Sequence, residues 1–474
     1  MFVAGVLFLS GCQERAKQNA TTHKHSGLPV DFKSEIEDLI QGYVDLGIFS
    51  GVVLVMDQGD PLFHKAYGLA DRETGRMVRL NTLFDIGSMN KTFTSIVIRQ
   101  LASEGVLSLS DPLAGYLGNF SDPRAADITL THLLEHRSGF GDYHSEGYFD
   151  LPMAERQLQA IVERAKKEIL EFDPGMDKAY SNLGYVMLGA VIERATGNSY
   201  FEEVHKRIVE PLGLSDTYLK DFEGLQDRMA KGYWYTPLGD LEVSAPIQDV
   251  PNPDGGFLST ALDIAKFYRA YYYGDVLLSE DAREQDPMLR QIRSLPAGRA
   301  IGAAGGFEGF NSVLLQLVNE HLTIVVLANM DEPVAERIGA GILAIYRREQ
   351  PDKPVLPAVQ NVRIQYEANG IEYIREHFEE LIENFHPTDP KDWILNTLGY
   401  AYLYGAEDTE TALEFFKLNT ELFPNVPNCH DSYGEALRAK GDLAGAKQAY
   451  TRALELDPNL ETARKALREI EKES

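Results

Sequence analysis

The sequence predicts an α+β fold, an antiparallel sheet flanked by helices and broken by a helical insertion, followed by an all-α region. Three observations carry this expectation. Paired apolar runs separated by short polar turns, GVVLVMD/PLFHKAYG and SVLLQLV/LTIVVLAN, stand near the two ends of the stretch before Gln350. The segments between them have mainly helical periodicity, so the sheet is expected to be closed by strands from both ends. After the proline-rich stretch QPDKPVLPAVQN, Gln350 to Asn361, the pattern turns wholly helical and acquires an internal period.

From the N-terminus, MFVAGVLFLSGC is a short apolar run ending in small residues and a cysteine. It resembles the end of a bacterial lipoprotein signal peptide, with Leu9-Ser10-Gly11-Cys12 as the lipobox, although no Lys or Arg precedes the run. The resemblance implies a signal over 1–12, lipidation of Cys12, and contact with the membrane through a lipid anchor only. Residues 13–27 are polar and read as a tether. The first folded region is expected over 28–349, with hairpins at Gly51–Gly68 and Ser312–Asn329 and a helix from Pro333 to about Arg348. A linker over 350–362 and a helical region over 363–474 complete the chain.

Composition narrows the function. Lys and Arg total 45 against 72 Asp and Glu, a net charge of −27, and there is no basic tract, which argues against a nucleic-acid partner. Two cysteines, Cys12 and Cys429, give neither a disulfide framework nor a cysteine-rich metal site. No internal stretch approaches the length of a membrane-spanning helix.

The chemistry is expected in FDIGSMNKTFTSIVIRQLASEG. Ser88 and Lys91 stand three apart at the start of a helix with a Phe93, Ile96, Val97 and Leu101 stripe, so the amine can reach the hydroxyl. Burial can depress a lysine until its neutral amine accepts a proton, and the helix start places a positive dipole end where an acyl oxyanion would form. Ser-x-x-Lys alone is a weak signal. A second element, Tyr180-Ser181-Asn182, lies between a Pro-Gly turn and a helix ending near Gly197. A phenol near a lysine can relay a proton, and the Asn182 amide can orient the lysine or a substrate carbonyl.

Together these residues resemble the penicillin-binding and class C β-lactamase superfamily of serine hydrolases, which includes D-alanyl-D-alanine peptidases and esterases. The order there is Ser-x-x-Lys, Tyr-x-Asn, then Lys- or His-x-Gly on a strand. Ile128–Tyr143, Val209–Asp221 and Gly255–Phe267 look like further segments of that family, so the implied fold is a β-lactamase/transpeptidase-like sheet. His136 and Arg137 have no motif role and are read as structural; Tyr233-Trp234-Tyr235 is left outside the site. Counting back from Gly309 to Ser312, the third motif falls at Ala303-Ala304-Gly305. Ala303 therefore replaces the family's cation or histidine. The resemblance implies an oxyanion hole from the amides of Ser88 and Gly306.

In the last region Ala412, Phe416 and Pro424 recur 34 residues later as Ala446, Tyr450 and Pro458, and Leu398-Gly399 is answered by Tyr433-Gly434. This resembles tetratricopeptide repeats over about Arg363 to Glu471, with a degenerate unit carrying Ile371, Ile374, Phe378 and Ile382. The expected protein is an exported serine acyl hydrolase with catalytic Ser88, Lys91 and Tyr180 and supporting Asn182. It takes a small-molecule or peptide acyl substrate, needs no metal or organic cofactor, and offers its repeats to a protein partner. Two readings stand beside it: a β-lactamase or D-alanyl-D-alanine carboxypeptidase, and a catalytically silent binding scaffold.

Overall fold

The computed structural model describes residues 31–144, 147–219, 224–244, 250–330, 334–383 and 390–473. The signal, the tether and Cys12 lie outside them. The chain forms two compact units: one ends at Trp234 and resumes over Val243–Pro354, and the other takes Tyr235–Glu242 and everything from Val355 onward.

In the first unit, β1 (Gly51–Asp57) and β2 (Asp60–Tyr67) form the early hairpin, and β3 (Ala300–Phe307), β4 (Phe310–Leu317) and β5 (Leu322–Ala328) form the late meander. The order is β3-β4-β5-β1-β2, antiparallel throughout, with Gly51 opposite Ala328 and Asp57 opposite Leu322. Strands from both ends of the unit thus meet in mid-sheet, as the paired apolar runs predict. β5 is buried along its whole length and β1 up to its last residue, because helices cover both faces. On one face Val313 and Leu315 of β4 approach Gly339 of a helix over Val334–Tyr346. On the other, Gln316 donates to the Tyr273 hydroxyl at 2.8 Å, from a helix over Ala261–Tyr273.

The insertion supplies the two helices that the Ser-x-x-Lys and Tyr-x-Asn motifs lead into, α1 (Asn90–Ser103) and α2 (Asn182–Thr196). The apolar stripe of α1 is fully buried; Phe93 stacks on Phe267 with ring centroids 3.7 Å apart. α2 starts at Ser181, whose hydroxyl accepts from the Gly184 amide at 3.1 Å, and stops at Gly197 with φ +78°. A small sheet then sets two loops side by side. Phe84–Asp85 pairs with Phe257–Ser259, which also pairs with Tyr218–Leu219, so the segment entering Ser88 runs beside the segment leaving Asp254.

The second unit is helical, with helices over Ala358–Asn369, Ile371–Leu381, Asp392–Tyr400, Thr409–Leu422, Pro427–Lys440, Leu443–Leu456 and Glu461–Glu473. The first begins inside the stretch expected as linker, directly after Pro357. A proline disfavours helix for the residue before it and leaves the residues after it free to form one. Gly399 and Gly434 have the same use: a Cβ there would meet the Phe416 and Tyr450 rings at 2.6 and 2.9 Å. Among the described residues, no helix is long and apolar enough to cross a membrane.

Candidate active site

Ser88 sits in a 3-10 turn, Gly87–Met89, that leads directly into α1, and Lys91 is the second residue of that helix. The turn is pinned from below, since the Asp85 carboxylate accepts from the Gly87 amide at 2.9 Å. Lys91 Nζ donates to Ser88 Oγ at 2.9 Å, and Tyr180 Oη lies 2.8 Å from the same oxygen. The serine hydroxyl is thus held between an amine and a phenol. The Asp254 carbonyl accepts a second hydrogen bond from Lys91 Nζ at 2.9 Å.

The edge strand β3 closes the other side. Ala303, Gly305 and Gly306 pair with Leu314, Ser312 and Asn311, so the third-motif positions lie in the register of a regular antiparallel ladder. Gly305 is dictated by space: a Cβ there would stand 2.0 Å from the Ile86 carbonyl oxygen. Ser312 Oγ ties the two chains together, donating to Gly305 O at 3.0 Å and Ile86 O at 3.4 Å. A Cβ on Gly87 would lie 2.9 Å from Gly306 N, which places that amide against the Gly87–Met89 turn. Ala303 is half-buried and brings no charge.

The family profile for beta-lactamase matches residues 36–346. The chain belongs to the beta-lactamase family. It is a serine hydrolase that works through an acyl-enzyme on ester- or amide-type substrates. It is 27% identical over 315 residues to penicillin-binding protein 4* of Bacillus subtilis (strain 168), a match spanning 60% of this chain and 69% of the relative. It is 31% identical over 229 residues to the teichoic acid D-alanine hydrolase of Staphylococcus aureus, spanning 48% of this chain and about half, 55%, of that protein. A penicillin-binding protein of Bacillus halodurans superposes with a TM-score of 0.57 at 26% identity, covering 65% of this chain and 99% of that structure.

Within this beta-lactamase-family site, burial dominates the electrostatics. Lys91 is only 6% exposed, and desolvation lowers it to about 8 against the upward pull of the Asp254 and Asp142 charges. Burial pushes the Tyr180 phenol well above its ordinary value, and the Asp254 and Asp142 charges add to that. His136, at φ +59°, lies with its ring 4.7 Å from that of Tyr180, and its Nδ1 accepts from the Ser181 amide at 3.2 Å. Burial and the charges of Lys91 and Lys178 lower its protonation to about 4, so at neutral pH it is an uncharged support for Tyr180.

The sequence offers two roles for the Asn182 amide, orienting Lys91 or a substrate carbonyl; Asn182 makes no hydrogen bond to Lys91 among the described residues. Among the described residues its side-chain partners are Asp142, at 2.7 Å, and His144, at 3.4 Å. The Asp142 carboxylate is a strong acceptor for the Nδ2 donor and fixes the amide toward that loop. Sequence reasoning missed Asp142, His144, Tyr143 and Asp254. The first three close the quoted segment Ile128–Tyr143 or follow it, and Asp254 immediately precedes the quoted segment beginning at Gly255. An acidic residue next to a paired glycine was the one available signal. No group of three or more His, Cys, Asp or Glu side chains stands close enough to hold a metal ion among the described residues.

Proposed function

We propose that this protein hydrolyses neutral acyl esters or amides, with Ser88 as nucleophile, Lys91 as general base and Tyr180 as proton relay. The observation that carries this reading is the position of Ser88 Oγ, 2.9 Å from a buried amine and 2.8 Å from a buried phenol. Neutral Lys91 takes the hydroxyl proton as Oγ bonds to the acyl carbon, and the carbonyl electrons move to an oxyanion facing the Ser88 and Gly306 amides. As the oxyanion electrons return to the carbonyl, the bond from the acyl carbon to the leaving group breaks, Tyr180 gives the leaving group a proton, and Lys91 replaces that proton with the one taken from Ser88. In deacylation, water gives a proton to the same lysine–tyrosine pair, its oxygen bonds to the acyl carbon, and the bond to Oγ breaks with return of the proton to Ser88.

Ala303 supports a neutral substrate over a carboxylate-bearing one. A charge-assisted contact contributes about 1.5–3 kcal/mol, so its loss weakens discrimination for a carboxylate by roughly one to two orders of magnitude. The names of the relatives, a penicillin-binding protein and a teichoic acid hydrolase, support a place in the bacterial cell envelope. Cys12 is proposed as the lipid anchor. The helical unit is proposed as tetratricopeptide repeats that hold a peptide or protein partner: the helices starting at Thr409 and Leu443 keep the interval of Ala412 and Ala446.

A fluorophosphonate probe tests the core of this reading. Labelling is expected at Ser88 and is lost in Ser88→Ala and Lys91→Ala; a wild type with neither labelling nor turnover is the silent scaffold. p-Nitrophenyl butyrate is expected to give a larger kcat/KM than nitrocefin, with Ala303→Lys narrowing the gap. Efficient nitrocefin turnover by the wild type supports the β-lactamase reading instead.

A further inference from the structure

Asp254 is 5% exposed; its backbone carbonyl holds Lys91 Nζ, and no step of the proposed reaction uses its acid. Both carboxyl oxygens accept from the Tyr143 hydroxyl, at 3.1 and 3.0 Å. The loop that carries it is fixed by the catalytic helix itself: Asn90 Nδ2 and Thr94 Oγ1 of α1 donate to the Pro253 carbonyl at 2.8 and 2.6 Å. Lys91, one residue beyond Asn90, is therefore tied to this loop through its own hydrogen bond and through its helix neighbours. An acid this enclosed costs stability unless its charge is balanced, and the cation bonded to its backbone is the general base.

We propose that Asp254 is a positioning residue for the general base: its buried carboxylate, held by Tyr143, is the counter-charge for the ammonium that Lys91 becomes on accepting the Ser88 proton. The inference rests on the role of Lys91 in the proposed function. Acylation creates that ammonium inside a site with little water, where an unbalanced charge is most unfavourable. The groups acting on Lys91 are Ser88 from the nucleophile turn, the Tyr180 and Tyr185 rings at 5.1 and 5.9 Å, His136, Asp142, and Asp254. The hydroxyl and rings are neutral, and so is His136 at neutral pH. Asp142 is committed to Asn182 and His144 and is 27% exposed at its side chain, so water screens it. Asp254 is enclosed and screened least. Burial raises its own carboxyl, and the charges of Lys91 and His144 and the Tyr143 hydrogen bond work against that rise.

The sign follows. A carboxylate here raises the proton affinity of Lys91, so neutralising it moves the pH at which Lys91 becomes a base downward and makes it a weaker base. The test uses the full-length protein and two variants, Asp254→Asn, which keeps an acceptor for Tyr143, and Tyr143→Phe. The rate of fluorophosphonate labelling of Ser88 and kcat/KM for p-nitrophenyl butyrate are followed across pH. Asp254→Asn is expected to move the midpoint of the acid limb down by about one unit, with a lower plateau. Tyr143→Phe is expected to move it in the same direction by less, because an unsupported carboxyl ionises less readily. A lower plateau with an unmoved midpoint, or an upward shift, overturns the proposal. If Asp254→Asn does not fold, an unmoved midpoint in Tyr143→Phe overturns it alone. A wild type unlabelled at every pH overturns the proposed function, and this inference with it, which separates the two failures.

Discussion

Two side chains around one serine oxygen set when the proposed site can work. In the proposed mechanism Lys91 must be neutral to accept the Ser88 proton, and with its amine lowered to about 8 by burial, activity is expected to be controlled from the acid side. The expected profile of kcat/KM on a neutral ester rises with pH through a midpoint near 8 and then levels. Tyr180, raised by burial, keeps its proton over the same range and adds no limb below that of free tyrosine. A single rising limb in a pH–rate series checks this; a midpoint at the ordinary lysine value would mean that burial does not lower Lys91, and a rate without a rising limb would mean that Lys91 is not the base. Tyr180→Phe should lower kcat by about 10²- to 10⁴-fold without moving the midpoint, since it removes a relay and not the titrating group. At this scale the sequence was legible where spacing puts groups within reach: a serine and a lysine three apart share one face of a helix start, and here they meet at 2.9 Å. Asp254 and Tyr143 were not legible, because their contact crosses 111 positions and neither residue type marks a site by itself.

At the scale of elements, the site is a close approach between a turn and an edge strand. Gly305→Ala would drive a Cβ to within 2.0 Å of the Ile86 carbonyl, two residues before the nucleophile, and neither backbone can yield locally. We expect a loss of about 1–3 kcal/mol in stability from overpacking, measured by denaturant unfolding. A displacement of about 1 Å at Ser88 should reduce kcat/KM by about 100-fold. Gly302→Ala in the same strand is the milder comparison: its Cβ meets a flexible Leu315 methyl at 3.1 Å and the Leu314 carbonyl oxygen at 3.3 Å, far looser than the 2.0 Å at Gly305, and turnover should be largely kept. Alternating and continuous apolar runs made both hairpins and their pairing readable. The small sheet that aligns Phe84–Asp85 with Phe257–Ser259 was not readable, because strands of two or three residues carry no periodicity. The early start of the helical region at Ala358 was hidden by prolines, which mark a break more clearly than they mark where it ends.

For the whole molecule, every residue named in the chemistry belongs to the first unit, so a chain ending at Pro354 should retain ester turnover. A further hairpin pairs Tyr233–Tyr235 with Leu241–Val243, and its tip, Tyr235–Glu242, belongs to the other unit, where the Thr236 carbonyl accepts from Gln360 Nε2 at 2.6 Å. Removing the helices leaves that tip without its partners, and limited proteolysis is expected to cut between Tyr235 and Glu242 in the truncated chain but not in the full one. Equal resistance of the two would show that the tip is self-supporting. The sheet has a consequence in time. β1 and β2 leave the ribosome early, whereas β5, the strand that pairs with the other side of β1, emerges only after the whole helical insertion. Throughout that interval Val52–Met56 is an open, uncharged β-edge, and closing it means bringing together the most distant parts of the unit. Nascent chains of this protein should therefore be most prone to aggregate just before Leu322–Ala328 is made, and a chaperone that shields one short segment until then would do the most to protect them.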